Sequence, residues 1–197
     1  MIFPVEELRL LGNKSLLELP RTAFFCSRNY PVSIERATYL WALEQRMHRR
    51  CVLSSFHSQL EQSVFRYLRQ EPKQPILYAL GRGIQPSLSM EYSREIELGH
   101  LLFLSRFDEE VKVVTPESAN LRNLLMVDMA DELFIPYVRT GGNLERLLTS
   151  AVARFKPLLT LDLPANRPLL QRGARIYRPQ QLVGHLGRHW PSPRLRQ

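Results

Sequence analysis

Apolar residues along this 197-residue chain follow two alternating periods. A short run, Thr22-Ala23-Phe24-Phe25-Cys26, predicts a buried strand that ends in a turn at Ser27-Arg28-Asn29-Tyr30-Pro31. From Ser33 the spacing changes to three and four. Ile34, Ala37, Leu40, Trp41 and Leu43 fall on one side, Ser33 is placed to cap, and His48, Arg49 and Arg50 occupy the last turn, so an amphipathic helix is expected. Cys51-Val52-Leu53 then reads as a strand, 54–58 as a polar loop, and 60–68 as a second helix with Leu60, Val64, Tyr67 and Leu68 inward.

The alternation continues. Strands are predicted at 75–80 and 101–104 with a mixed signal between them, then a helix over 116–129, a strand over 132–136, a helix over 142–154 and a strand over 157–161. About six short strands separated by helices predict an α/β three-layer sandwich, a mostly parallel central sheet flanked by helices. Right-handed crossovers would place the loops after the strands along one edge, where ligands of such folds bind.

Composition narrows the class of protein. Two cysteines, Cys26 and Cys51, lie in apolar stretches without ligand spacing, so neither a disulfide framework nor a metal site is expected. No cofactor is called for by any motif. The longest apolar runs fall far short of the ~20 residues that span a bilayer, and the N-terminus carries acids where a secretion signal carries base. A cytoplasmic protein with no membrane partner is the expectation.

Charge is unevenly spread. Residues 154–197 contain nine basic side chains and one acid, while the preceding residues carry eighteen of each sign. The chain is therefore read as a globular domain over 1–178 followed by a basic tail or arm over 179–197. Clustered arginines favour a polyanion, because they release counterions from a phosphate chain.

Four loops on the predicted ligand edge contain groups suited to phosphate: Ser27-Arg28, Ser54-Ser55-Phe56-His57-Ser58, Gly81-Arg82-Gly83, and Arg139-Thr140-Gly141-Gly142-Asn143. Amides at a helix N-terminus carry partial positive charge, glycine permits close approach, and Arg28 offers a planar fork to two oxygens. His57 is a candidate base, which Glu61 would orient if helix geometry allowed, and equally a surface or capping histidine. Ser54 and Ser55 lack a nucleophile elbow, so hydrolase chemistry is disfavoured.

The order of these pieces carries more than each alone. Gly12-Asn13-Lys14-Ser15-Leu16-Leu17, then Pro20, a strand and Ser27-Arg28, resembles the G-N-x-x-L-L, Pro, strand and G-S-R that begin the Rossmann-like domain of the DNA-processing protein A family, DprA or Smf. Ser54 and the residues after it fall where that family has an S-G loop. Leu102 to Phe107 resembles its strand end, and Arg122-Asn123 the R-N that opens a helix. Thr140-Gly141-Gly142 takes the place of its glycine loop, and 165–174 resembles its closing G-N-x-x-L-I-x-x-G-A. Two positions depart from the pattern: Cys26 replaces the glycine before Ser27-Arg28, and 55–61 replaces G-x-A-R-G-I-D, as in a divergent branch reading G-F-H-S-P-x-E. Neither the family's winged-helix domain nor its helical N-terminal extension is apparent in the sequence.

The resemblance implies a Rossmann-like domain that binds single-stranded DNA, forms a homodimer and hands the strand to a RecA-like recombinase in DNA recombination. Its expected phosphate-binding residues are Ser27, Arg28, Ser54, Ser55, His57, Ser58, Arg82, Arg122, Asn123, Thr140, Gly141, Gly142 and Asn143, with bases stacked on Phe56 or Tyr30 unless those pack in the core. Two other readings stay open. One is a nucleotide sensor, or an enzyme cleaving a nucleotide's N-glycosidic bond, although Glu145 stands too early for the latter's motif. The other is a structural partner acting through the basic tail.

Overall fold

A computed structural model of the chain describes residues 3–87, 90–150, 153 and 155–179. Arg154 and residues 180–197, most of the expected tail, lie outside the described residues. The strands are β1 (Arg9–Gly12), β2 (Arg21–Phe24), β3 (Cys51–Ser54), β4 (Ile76–Leu80), β5 (Leu101–Ser105), β6 (Glu132–Ile135), β7 (Leu158–Thr160) and β8 (Arg175–Ile176). Between them lie α1 (Glu35–His48), α2 (Gln59–Leu68), α3 (Met90–Glu97), α4 (Pro116–Met129), α5 (Asn143–Leu148) and α6 (Arg167–Gln171).

All eight strands form one sheet in the order β1-β5-β4-β3-β2-β6-β7-β8, parallel throughout except for β1 against β5. Buried strands lack polar alternation because both faces are covered; every residue of β3 and of β5 is buried. Successive side chains divide between two cores. Ala23, Leu53, Leu102 and Leu133 pack toward α4, α5 and α6, whereas Phe24, Val52, Phe103 and Phe134 pack toward α1, α2 and α3. Trp41 of α1 stacks on Phe134 at 4.3 Å between ring centroids, with Phe24 beside both, and this anchors α1 across the middle of the sheet.

The predicted strands and helices occur, except that the helix expected over 142–154 ends at Leu148 and Ser33 sits in a 3-10 turn and does not cap α1. Two strands escape the hydrophobic pattern. Strand β1 is a half-exposed edge strand of four residues, and β8 has only two, so neither offers an apolar run. Gly12 of the G-N motif is structural: a Cβ there would lie 2.2 Å from the carbonyl oxygen of Leu101, and its φ is +121°. Asn13 beside it donates to Gly99 O and accepts from the backbone N–H of Ser15.

Chain direction through the sheet reverses between β2 and β6. From β2 the chain winds out through β3, β4 and β5, and α4 carries it back to β6 on the other side of β2. Adjacent loops leave these two strands on opposite faces and open a crevice beyond their carboxyl ends.

Candidate nucleic-acid interface

A cavity of about 710 Å³ opens at this crevice. Its walls come from the loops after β2, β3 and β6 and the first turns of α4: Cys26, Ser27 and Arg28; Ser55, His57 and Ser58; Thr115, Arg122 and Asn123; Arg139, Gly142 and Asn143. The β2 and β6 loops are stitched together, since Ser27 N–H donates to Tyr137 O and Arg139 N–H donates to Ser27 Oγ. Asn166, fully buried, braces the same loop by donating to Pro136 O and Leu161 O and accepting from Val138 N–H.

The loop after β3 is shaped by one residue of α2. Glu61 is 4% exposed, and its carboxylate accepts the backbone N–H groups of Cys26 at 3.0 Å, His57 at 2.8 Å and Ser58 at 3.1 Å. Ser58 Oγ accepts Glu61 N–H in return and completes a capping box. The glutamate holds the backbone of His57 and does not orient its ring, contrary to the sequence expectation. Burial pushes the Glu61 carboxyl up, and the three N–H donors and Arg122 oppose this.

This arrangement alters the expected phosphate cradle. Several amides expected to face an oxyanion already donate within the chain, although no side chain caps the first turn of α5. Glu61 takes those after β2 and β3, and Glu145 takes the N–H of Gly141 at 2.7 Å, while Gly142 N–H donates to Arg139 O. Thr115 and Ser118 likewise cap α4 reciprocally.

Cations remain. Arg28 is exposed and its Nη2 lies 2.5 Å from Nε2 of His57. Arg122 is only 8% exposed; its guanidinium donates twice to Oδ1 of Asn123, at 3.1 and 2.9 Å. Arg139 is exposed at the rim. Among the described residues none of these three forms an ion pair. Burial and the neighbouring guanidinium groups of Arg28 and Arg122 pull the His57 imidazole below its ordinary value. Arg122 is pulled down by its own burial, though a guanidinium stays charged.

Several expected site residues fall elsewhere. Ser54 is buried, with its hydroxyl donating to Phe24 O. Arg82 is not among the cavity's lining residues, and its carbonyl accepts from Ser105 Oγ. The flanking glycines admit backbone rather than ligand: a Cβ on Gly83 would meet Asp108 O at 2.0 Å, and one on Gly81 would press on Val114. Thr140 and Gly141 are exposed beyond the lining. Arg122 lies well inside α4 rather than opening it.

Phe56 is 1% exposed and packs against Phe65 and Tyr78, which removes it as a stacking platform. Tyr30 is half-buried outside the cavity lining, with its hydroxyl donating to Glu35. The apolar wall is instead Val114, Pro116, Ala119 and Leu144. Glu61 and Arg139 line the cavity although the expected phosphate-binding set left them out, and the Ser58-x-x-Glu61 spacing was the legible sign of the former's capping role.

Cys26 and Cys51 are buried and unbridged. Burial, and after it Glu61, raises the Cys26 thiol at the cavity wall far above its ordinary value, which keeps it protonated. Among the described residues, no cluster of three or more His, Cys, Asp or Glu is placed to hold a metal, and no helix is long and apolar enough to cross a membrane.

Fold and crevice together define a Rossmann-like α/β domain with its ligand opening at the switch point of the sheet. No protein-family model matches the chain, and no curated protein matches it significantly. Solved structures do. The DNA processing protein A of Helicobacter pylori, whose single-stranded DNA binding mode has been described, is similar with a TM-score of 0.72 at 17% identity, over 94% of this chain and 89% of that one. DNA processing protein A of Streptococcus pneumoniae gives 0.67 at 13% identity, over 93% of this chain and 70% of that one. A molybdenum cofactor binding protein of Rippkaea orientalis gives 0.53 at 13% identity, over 80% and 88%. The chain thus has a DprA-like, Rossmann-like fold.

Proposed function

We propose that this chain is a single-stranded DNA-binding module in which Arg28, Arg122 and Arg139 hold a run of phosphodiesters, with Asn123 and Asn143 beside them. One observation carries the reading: carboxylates of the chain already take the amides of Cys26, His57, Ser58 and Gly141, while Arg28, Arg122 and Arg139 form no ion pair among the described residues. A terminal phosphate concentrates two charges on one phosphorus and suits a dense nest of amides. Phosphodiesters carry one charge each, spread along the strand, and suit separated guanidinium forks.

A concave cavity of this size admits one strand and its bases rather than the convex face of a duplex. The H. pylori protein supplies the precedent for single-stranded DNA on this fold. The resemblance extends the reading to DNA recombination, with the chain as a homodimer passing its strand to a RecA-like recombinase and the basic residues from 179 onward adding long-range attraction. Size-exclusion with light scattering tests the dimer.

Fluorescence anisotropy with labelled oligonucleotides tests the binding. Affinity should rise with length beyond a few nucleotides, favour single strands over duplex, and weaken steeply with salt. Tight binding of a mononucleotide that displaces the oligonucleotide completely would transfer the site to the sensor reading, and release of free base from a nucleoside monophosphate would make it an enzyme.

A further inference from the structure

The contact between Arg28 and His57 constrains chemistry that the DNA reading does not itself use. A guanidinium has only donors, so Arg28 Nη2, 2.5 Å from His57 Nε2, requires a lone pair on that nitrogen. The contact is that of a neutral His57 with its proton on Nδ1. Its surroundings explain why. Arg28 faces it from the loop after β2 and Arg122 from α4, and Arg139 lines the same cavity from the loop after β6. The one carboxylate in that lining, Glu61 of α2, is tied to three backbone N–H groups, and the Cys26 thiol at the end of β2 is uncharged. A fourth cation among three guanidinium groups is disfavoured until an anion enters.

The loop leaves only the ring to move. Phe56 holds the left-handed conformation at φ +45° with its side chain sealed in the core, and Glu61 fixes the N–H of His57. The imidazole, mostly exposed, can then turn from Arg28 toward the cavity without rearranging the backbone.

We propose that His57 is a phosphate ligand in its imidazolium form only, so that a bound strand draws one proton from solution and the ring exchanges its contact with Arg28 for one with a phosphate oxygen. This rests on the phosphodiester reading above. The proton taken up resides on Nε2, the nitrogen that accepts from Arg28 in the free protein; Arg28, released, keeps its full set of donors for the same phosphate. His57 thereby discriminates by ligand charge: an anion that neutralises the crevice recruits it, and an uncharged base or sugar does not.

Two measurements on the full chain test this. Binding of a labelled thymidine 20-mer is followed from pH 5.5 to 8 at constant ionic strength, for the protein and for His57→Gln. One linked proton gives a limiting slope of about tenfold in Kd per pH unit. A slope approaching that value should occur near neutrality in the protein and vanish in the variant. In parallel, the ring carbon resonances of His57, assigned by their loss in His57→Gln, should titrate at higher pH with the oligonucleotide than without it. Equal slopes in the two proteins, or an unmoved titration of the bound ring, overturns the proposal while leaving DNA binding intact. Absence of oligonucleotide binding at every pH overturns the DNA reading itself and the proton linkage with it.

Discussion

Both ends of the sheet bear cations beside a cavity, and they differ in what the cations already hold. At the amino ends of β7 and β8 a cavity of about 490 Å³ is lined by Lys156, Arg172 and Arg175. There Lys156 Nζ donates to Asp128 O at 2.9 Å and Ala130 O at 2.6 Å, closing the carboxyl end of α4, and Arg175 pairs with Glu132 at 2.7 Å. At the carboxyl ends of β2 and β6, Arg28 and Arg122 hydrogen-bond only His57 and Asn123, and neither forms an ion pair among the described residues, although Glu61 acts on Arg122 through space. The two sites differ in that Arg175 is ion-paired and Lys156 is spent on backbone carbonyls, whereas the crevice guanidinium groups have no ion-pair partner among the described residues.

Removing the group that ties the loops after β2 and β3 together should produce the largest effect. Glu61→Ala would strand three N–H donors, two of them buried, and half of a capping box, so we expect a loss of roughly 3 kcal/mol, or about 6–12 °C in Tm for a chain of this size. Glu132→Gln at the opposite end, an exposed pair with Arg175, should change stability by less than about 1 kcal/mol. Urea titration of both variants would break the comparison if their midpoints moved equally.

Binding should divide the same way. Arg28→Ala and Arg122→Met should each weaken single-stranded DNA binding by about tenfold or more, as expected for a charge-assisted hydrogen bond, while Arg172→Ala should change it by less than about twofold. Anisotropy titrations at low salt decide it, and equal losses at both ends would mean that charge alone draws the strand. A finer version reads the salt dependence: loss of Arg28 should lower the slope of log K against log salt by about 0.7, the share of one single-strand phosphate contact, and loss of Arg172 should leave it unchanged.

The smallest expected effect is on stability against pH. His57 binds its proton less readily when folded than in the unfolded chain, so its contribution is complete above about pH 6.5 and is lost as pH falls through that value and the lower native one. His57→Gln should remove this acid-side decline in a series of urea titrations from pH 5 to 8. Stability and DNA affinity would then respond to acid in opposite directions, and both responses should disappear with the same substitution.

Hydrophobic spacing determined the interior of this molecule by itself. Val52, Leu53, Leu102 and Phe103 have no choice but burial, strand runs separated by helical ones force parallel crossovers, and parallel crossovers put the loops after the strands at one edge. That much of the candidate site, including Ser27, Arg28 and His57, was legible because it follows from local period and chain direction. What occupies the loop amides was not. Glu61 reaches Cys26 across 35 positions of sequence, Arg122 comes to the cavity from a helix on the other side of the sheet, and Phe56 turns inward at a positive φ. Such contacts depend on where side chains end in space, which no periodicity encodes. Tertiary packing alone decided that carboxylates of the chain take the amides of Cys26, His57, Ser58 and Gly141 and that the crevice guanidinium groups stand without an ion-pair partner among the described residues.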